Sequence, residues 1–92
     1  MNIFAGVGKI TDVYLNGRVL KFNLSDFQKR PCIIPCVIFD PNEDDKNYVE
    51  QLQIADQFVW LKGVLASNEF EYKGKQLRKL EILTYANSIK QI

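Results

Sequence analysis

The stretch Ser67–Lys79, SNEFEYKGKQLRK, reads as two short strands that reverse through Lys73 and Gly74. A two-residue turn there sets Tyr72 opposite Lys75, Glu71 opposite Gln76, Phe70 opposite Leu77, Glu69 opposite Arg78 and Asn68 opposite Lys79. Side chains alternate along a strand, so one face of the ribbon collects Phe70, Tyr72, Lys75, Leu77 and Lys79, and the other Glu69, Glu71, Gln76 and Arg78. Rings interleaved with ammonium groups suit a stacked base and its phosphate. The same composition also serves a plain hairpin, through β propensity and solubilising charge. What the ribbon is attached to decides between these two readings.

Working outward, Gln57–Leu65, QFVWLKGVL, leads into the ribbon as a strand with Val59 and Leu61 on one face and Phe58, Trp60 and Lys62 on the other. Phe58 and Trp60 together make an apolar patch suited to a subunit contact. On the far side, Leu80–Tyr85 prolongs the second strand of the ribbon, and an extended tail follows to Ile92. Before this unit, Asp40–Lys46, DPNEDDK, breaks a sheet and offers Asp44 or Asp45 as a helix N-cap. Tyr48, Val49, Leu52 and Ala55 then recur at helical spacing to near Asp56, a short stripe suited to plugging the end of a barrel.

The N-terminal half reads as three strands. Asn2–Ile10 contains Gly6 and Gly8, which mark a bend or the close approach of another backbone. Val13–Leu15 extends that strand, and Asn16-Gly17 is a strong hairpin signal. From Arg18 to Ser25, Leu20, Phe22 and Leu24 alternate with polar residues as in a half-buried strand. The loop SDFQKRP places Phe27 beside Lys29 and Arg30, a candidate stacking site whose competing use is a ring tucked over the end of the core. Cys32–Phe39, CIIPCVIF, is an almost continuous apolar strand in which Pro35 demands an edge position or a bulge.

The totals bound the function. Ninety-two residues, 47% hydrophobic and 25% charged, make one folded domain spanning residues 1–92, small enough that self-association would add materially to its stability. No apolar run is long enough to cross a bilayer, and MNIFAGVG lacks the basic start and apolar core of a signal peptide, so the expectation is a cytoplasmic protein without membrane contact. With no histidine and only Cys32 and Cys36, no metal site is expected. In one strand their Cα atoms would stand about 13 Å apart, too far for a disulfide, so both read as small buried hydrophobes. The net charge is only +1, from 12 basic and 11 acidic residues. A nucleic-acid partner therefore requires segregated charge, and Lys73, Lys75, Arg78 and Lys79 do cluster in the ribbon, away from Glu43, Asp44 and Asp45.

Three strands, a short helix and two strands is the order of an all-β OB-fold, a five-stranded Greek-key barrel with one short helix between strands 3 and 4. In that fold one face and the loops after strands one and four bind oligonucleotides or oligosaccharides, and the ribbon is the loop after strand four. The chain also resembles, along nearly its whole length, the DNA-binding domain of bacterial-type single-stranded DNA-binding proteins. The resemblance is carried by Met1-Asn2 leading into Gly8-Lys9-Ile10, by Gly17–Leu24 with Phe22 and Leu24, and by Cys36–Phe39. Val59–Leu65, and Gly74 through Arg78 to Glu81-Ile82, complete it.

The resemblance implies a homo-oligomer, a tetramer or a dimer, that wraps single-stranded DNA without sequence preference. It puts stacking positions near Phe27, at Phe39 and at Phe70, while the one at the start of strand three becomes Ile33, the loss of a platform worth about 1–3 kcal/mol per base. No Gly- or Pro-rich linker and no acidic tail follow Ile92, so tail-mediated enzyme recruitment is not expected. The short loops after strands two and four resemble the related primosomal replication protein and compact forms carried by phages and mobile elements.

The leading expectation is a non-catalytic single-strand binder without a cofactor, acting in DNA replication, recombination or mobile-element transfer. In it Lys73, Lys75, Arg78 and Lys79 track phosphates, Phe70 and Tyr72 stack bases, and Phe27, Lys29, Arg30 and Phe39 line the adjoining groove. Arg78 is compromised by Glu69 across the ribbon. The alternative is a replisome or primosome adaptor that contacts proteins through Phe58, Trp60 and the apolar third strand. An enzyme has the least support, since no histidine, cofactor loop or pair of carboxylates in an apolar pocket is present in the sequence.

Overall fold

The computed structural model of the chain describes residues 2–26 and 32–92. Its elements are β1 (Ile3–Asn16), β2 (Val19–Asp26), β3 (Cys32–Phe39), α1 (Glu43–Ala55), β4 (Val59–Tyr72), β5 (Lys75–Leu83), a 3-10 turn (Ala86–Ser88) and β6 (Ile89–Gln91). The sheet runs β1-β2-β3-β5-β4, and β4 returns to pair with β1, closing a five-stranded ring. This is the OB-fold that the order of elements implies.

The inward positions of the alternating strands fill the barrel. Ile10, Leu20, Phe22, Leu24, Cys36, Ile38, Val59, Leu61 and Ile82 pack together, and Val49 and Leu52 of α1 close one end. The expected helical stripe is only half used, because Ala55 lies in the last turn and faces solvent. The helix also starts earlier than expected. Asn42 rather than Asp44 or Asp45 is the N-cap, accepting from the Asp45 amide, and Asp45 in turn accepts from the Asn42 amide. Asp45 is thus the third residue of a capping box, a position a carboxylate fills as well as the cap itself.

Bending one long strand around the barrel sets the demands on β1. Its first half pairs with β4 and its second half with β2. A side chain at Gly8 would meet the Ser25 carbonyl at 2.8 Å, so glycine permits the close approach that the sequence implied. One residue is inserted between Thr11 and Tyr14, where Asp12 takes φ 55°. This bulge reverses which side chains face outward beyond it. The β1–β2 turn falls on Gly17 and Arg18, one residue later than the Asn16-Gly17 pair suggested, because Asn16 still pairs with Val19. Gly17, with φ 61°, supplies the positive dihedral the turn requires.

Pro35 is accommodated as an edge residue, without a bulge. β3 keeps an unbroken register with β2, and its pairing with β5 begins only at Cys36. The two cysteines part company: Cys36 is buried, as expected, but Cys32 at the start of the edge segment is exposed. Burial pushes the Cys36 thiol up to about 12, with Glu81 adding to the effect. The tail after β5 is likewise more structured than expected. β6 pairs with β4 on the edge that β5 has just left, with Ile89 fully buried opposite Leu61.

A thiol reagent at pH 8 should therefore modify Cys32 in the native protein and leave Cys36 as an unreactive thiol until denaturant is added. Mass spectrometry of peptides after timed labelling reads this directly, and rapid labelling of both thiols would contradict the placement of Cys36.

Candidate nucleic-acid interface

Beyond Ala66 the β4–β5 ribbon leaves the barrel and becomes a two-stranded arm. Its register is the one the turn implies, from Tyr72 opposite Lys75 down to Asn68 opposite Lys79. Lys73 and Gly74 have φ of 51° and 76°, the pair of positive dihedrals that a tight hairpin turn needs. Two strands alone are only marginally stable in water, so the cross-strand side-chain pairs matter here. Phe70 lies against Leu77, and the Arg78 guanidinium donates to Glu69 Oε1 at 3.0 Å. At the root of the arm the buried Glu81 accepts from Asn68 Nδ2 at 2.6 Å and lies 3.6 Å from Lys79 Nζ.

These pairs divide the four cations assigned to the arm. Arg78 is engaged with Glu69 on the acidic face, and Lys79 with Glu81. Among the described residues Lys75 and Lys73 have no carboxylate within ion-pair distance, although the Lys73 ammonium lies 5.4 Å from the Tyr72 ring centroid. Phe70 and Tyr72 are exposed, 44% and 57%, on the face that carries Lys75.

That face continues onto the barrel. Register across the strands aligns Lys21 of β2 with Val37 of β3, Val37 with Leu83 of β5, Leu83 with Val64 of β4, and Val64 with Ile3 of β1. Phe39, half exposed, is next to this row on β3, opposite Val19, and the exposed Ile33 stands toward the other end of β3, opposite Ser25. Tyr14 belongs to the same surface, exposed and directly opposite Lys21. The sequence reading missed Tyr14 and Lys21. Strict alternation from Ile10 would turn Tyr14 inward, and only the one-residue bulge brings it out beside Lys21. Lys21 likewise has no carboxylate at ion-pair distance among the described residues. Of the expected groove residues, Phe27, Lys29 and Arg30 lie outside the described residues.

The apolar patch expected from Phe58 and Trp60 is differently composed. Phe58 is half-buried beneath the Lys9 ammonium, 5.4 Å from the ring centroid, and Lys9 also pairs with Asp56 at 3.5 Å. Trp60 is exposed, but its neighbour across the strands is Val7, with Ile3 and Val64 further along the same β1–β4 ladder. A shallow cavity of about 330 Å³ opens beside them, lined by Ile3, Lys62, Val64, Leu83, Thr84 and Tyr85 among others. No group of three or more metal-ligating side chains converges among the described residues.

The backbone as a whole is similar to that of the mitochondrial single-stranded DNA-binding protein Rim1 of S. cerevisiae, with a TM-score of 0.74 and 19% identity over 99% of this chain and 94% of that one. It is similar also to the Plasmodium falciparum SSB solved in complex with single-stranded DNA, with a TM-score of 0.71 and 16% identity over 100% of this chain and 95% of that one. No protein-family model and no curated protein sequence matches the chain. At these identities the likeness is one of fold, and it identifies the barrel, helix and arm as an OB domain of the architecture that single-stranded DNA-binding proteins use.

The arm's geometry depends on its turn. Gly74→Ala places a Cβ at φ 76°, where an L-residue is strained by about 1–2 kcal/mol. Hydrogen exchange should accelerate at the amides of Phe70–Leu77 while the barrel amides keep their protection. Uniform protection along the arm would show that the turn does not hold it.

Proposed function

We propose that this protein is a non-catalytic binder of single-stranded DNA that works without sequence preference. The observation that carries the reading is an outward set of exposed Phe39, Phe70, Tyr72 and Tyr14 together with Lys21 and Lys75, cations without acidic partners among the described residues. Every base has a π face, so stacking on such rings is sequence-tolerant and worth about 1–3 kcal/mol per base. Lysines spaced between them meet the phosphates. Ile33 offers an apolar contact without a π face, which makes Phe39 and Phe70 the principal platforms. Phe27, Lys29 and Arg30, in sequence between β2 and β3, extend the same chemistry. The solved complex of the Plasmodium relative in fold with single-stranded DNA supports the choice of ligand.

The arm is short, so a single copy engages only a limited length of strand, and wrapping calls for several copies. The patch formed by Trp60, Val7, Ile3 and Val64 is the surface we assign to that self-association, as a dimer or tetramer. Replication, recombination or mobile-element transfer in the cytoplasm is the setting in which such a binder serves. The same exposed tryptophan patch favours a second reading, a replisome or primosome adaptor that uses it to hold another protein.

Titration of a fluorescent oligothymidylate against salt tests the reading. The logarithm of the binding constant should fall against the logarithm of salt by roughly 0.7 per neutralised phosphate, near 2 if Lys21, Lys73 and Lys75 each take one. Phe70→Ala should weaken binding by about 1–3 kcal/mol. The adaptor reading expects Phe70→Ala with Lys75→Ala to leave DNA affinity almost unchanged, and affinity that does not vary with salt would rule out the phosphate mechanism.

A further inference from the structure

We propose that Glu81 is a positioning residue that fixes the root of the arm and withholds Lys79 from the DNA backbone. The inference rests on the single-strand-binding reading and specifies which lysines take part. Glu81 occupies the last outward position of β5 before the strand joins the barrel. The next residue, Ile82, pairs with Leu65 of β4 and Cys36 of β3 at once, whereas Glu81 pairs with Ala66 alone. Most of β5 before it is exposed, yet Glu81 is only 4% exposed.

A carboxylate desolvated to that degree needs hydrogen bonds and a countercharge. Its Oε1 accepts from Asn68 Nδ2 at 2.6 Å, and its Oε2 lies 3.6 Å from Lys79 Nζ. Asn68 is on β4 and Lys79 on β5, and the two are cross-strand partners. One buried group therefore ties both strands of the arm at the point where they leave the barrel. The Lys79 side chain is 43% exposed and lies on the face that carries Phe70, Leu77 and Lys75, so it stands beside the strand's path.

Turning its ammonium to a phosphate would leave Glu81 as a buried charge with the Asn68 hydrogen bond but no countercharge, and that cost holds Lys79 in place. The other ion pair of the arm behaves differently. The side chains of Arg78 and Glu69 are 68% and 64% exposed, so water and salt already compete for them.

Glu81→Gln tests the assignment. It preserves volume and the acceptor for Asn68, and removes the countercharge of Lys79. With the fold intact by circular dichroism, the salt slope for oligothymidylate should steepen by about 0.7, one further phosphate, and affinity at low salt should rise. Lys79→Gln alone should leave the slope at its wild-type value while lowering the melting temperature. The double variant E81Q/K79Q should keep the wild-type slope and recover part of the lost melting temperature.

A slope in Glu81→Gln that is unchanged or shallower, or a slope in Lys79→Gln that is shallower by about 0.7, overturns the proposal. Should Glu81→Gln fail to fold, the Lys79→Gln slope decides by the same criterion. If the wild-type protein bound no single strand at all, the functional reading would fail, and with it the role of withholding Lys79. The melting temperatures of Lys79→Gln and the double variant would still decide whether Glu81 holds Lys79 at the root.

Discussion

The barrel closes through a joint of two residue pairs. β3 and β5 run parallel and meet only at Cys36 with Ile82 and Val37 with Leu83. Both faces of that joint are buried or nearly so, and the Thr84 amide extends it by donating to the Val37 carbonyl at 3.0 Å. Just past it the chain must leave β4, because Leu83 pairs with Val64 but the next partner of β4 on that edge is Ile89, opposite Leu61. Residues 84–88 on one side thus face residues 62–63 on the other. Thr84 fills the vacated hydrogen-bond position by donating its hydroxyl to the Lys62 carbonyl at 2.7 Å. Gly63 makes the crossing possible, since a Cβ there would sit 2.5 Å from the Leu83 carbonyl oxygen. At Ile82 and Leu83, β5 is paired with β4 and β3 at once, and these two shared positions close the ring.

That joint also decides where the proposed binding face lies. It holds β5 against β3 at one end only, so the other end of β5 is free to run out with β4 as the arm. The outward row through Lys21, Val37, Leu83 and Val64 exists because the joint carries register from β2 and β3 to β5 and β4. That row links the hairpin of β1 and β2 to the arm through Val37, itself only 3% exposed, with Glu81 at the hinge between barrel and arm. Net charge gives little hint of this, because five of the eleven acids lie at the helix start, at Glu69 and at Glu81.

Much of this was legible in the sequence, for identifiable reasons. The Lys73-Gly74 turn fixes every pairing of the arm, and a turn of known length carries its register outward without help from the rest of the fold. Leu20, Phe22 and Leu24 alternate cleanly, and all three are buried. The features that escaped are those set by tertiary contacts. Tyr14 turns outward because of a bulge that no turn residue announces. β6 is three residues long and follows a 3-10 turn, so its period is too short to recognise and its identity as a strand comes from β4 alone. Phe58 looked like half of a surface patch, but the Lys9 ammonium, remote in sequence, covers it. Cys32 shares its parity with Cys36 and differs in burial because β5 reaches only the second half of β3.

We propose that the outward surface of β1, β2, β3 and the arm, and not the Trp60 patch, receives single-stranded DNA. Amide chemical-shift mapping of the isotopically labelled protein with a short oligothymidylate tests it most directly. Shifts are expected together at Tyr14, Lys21, Phe39, Phe70, Tyr72 and Lys75, with Trp60 and Val7 unmoved at the lowest DNA ratios. Shifts confined to Trp60 and Val7, or none at all, would contradict it.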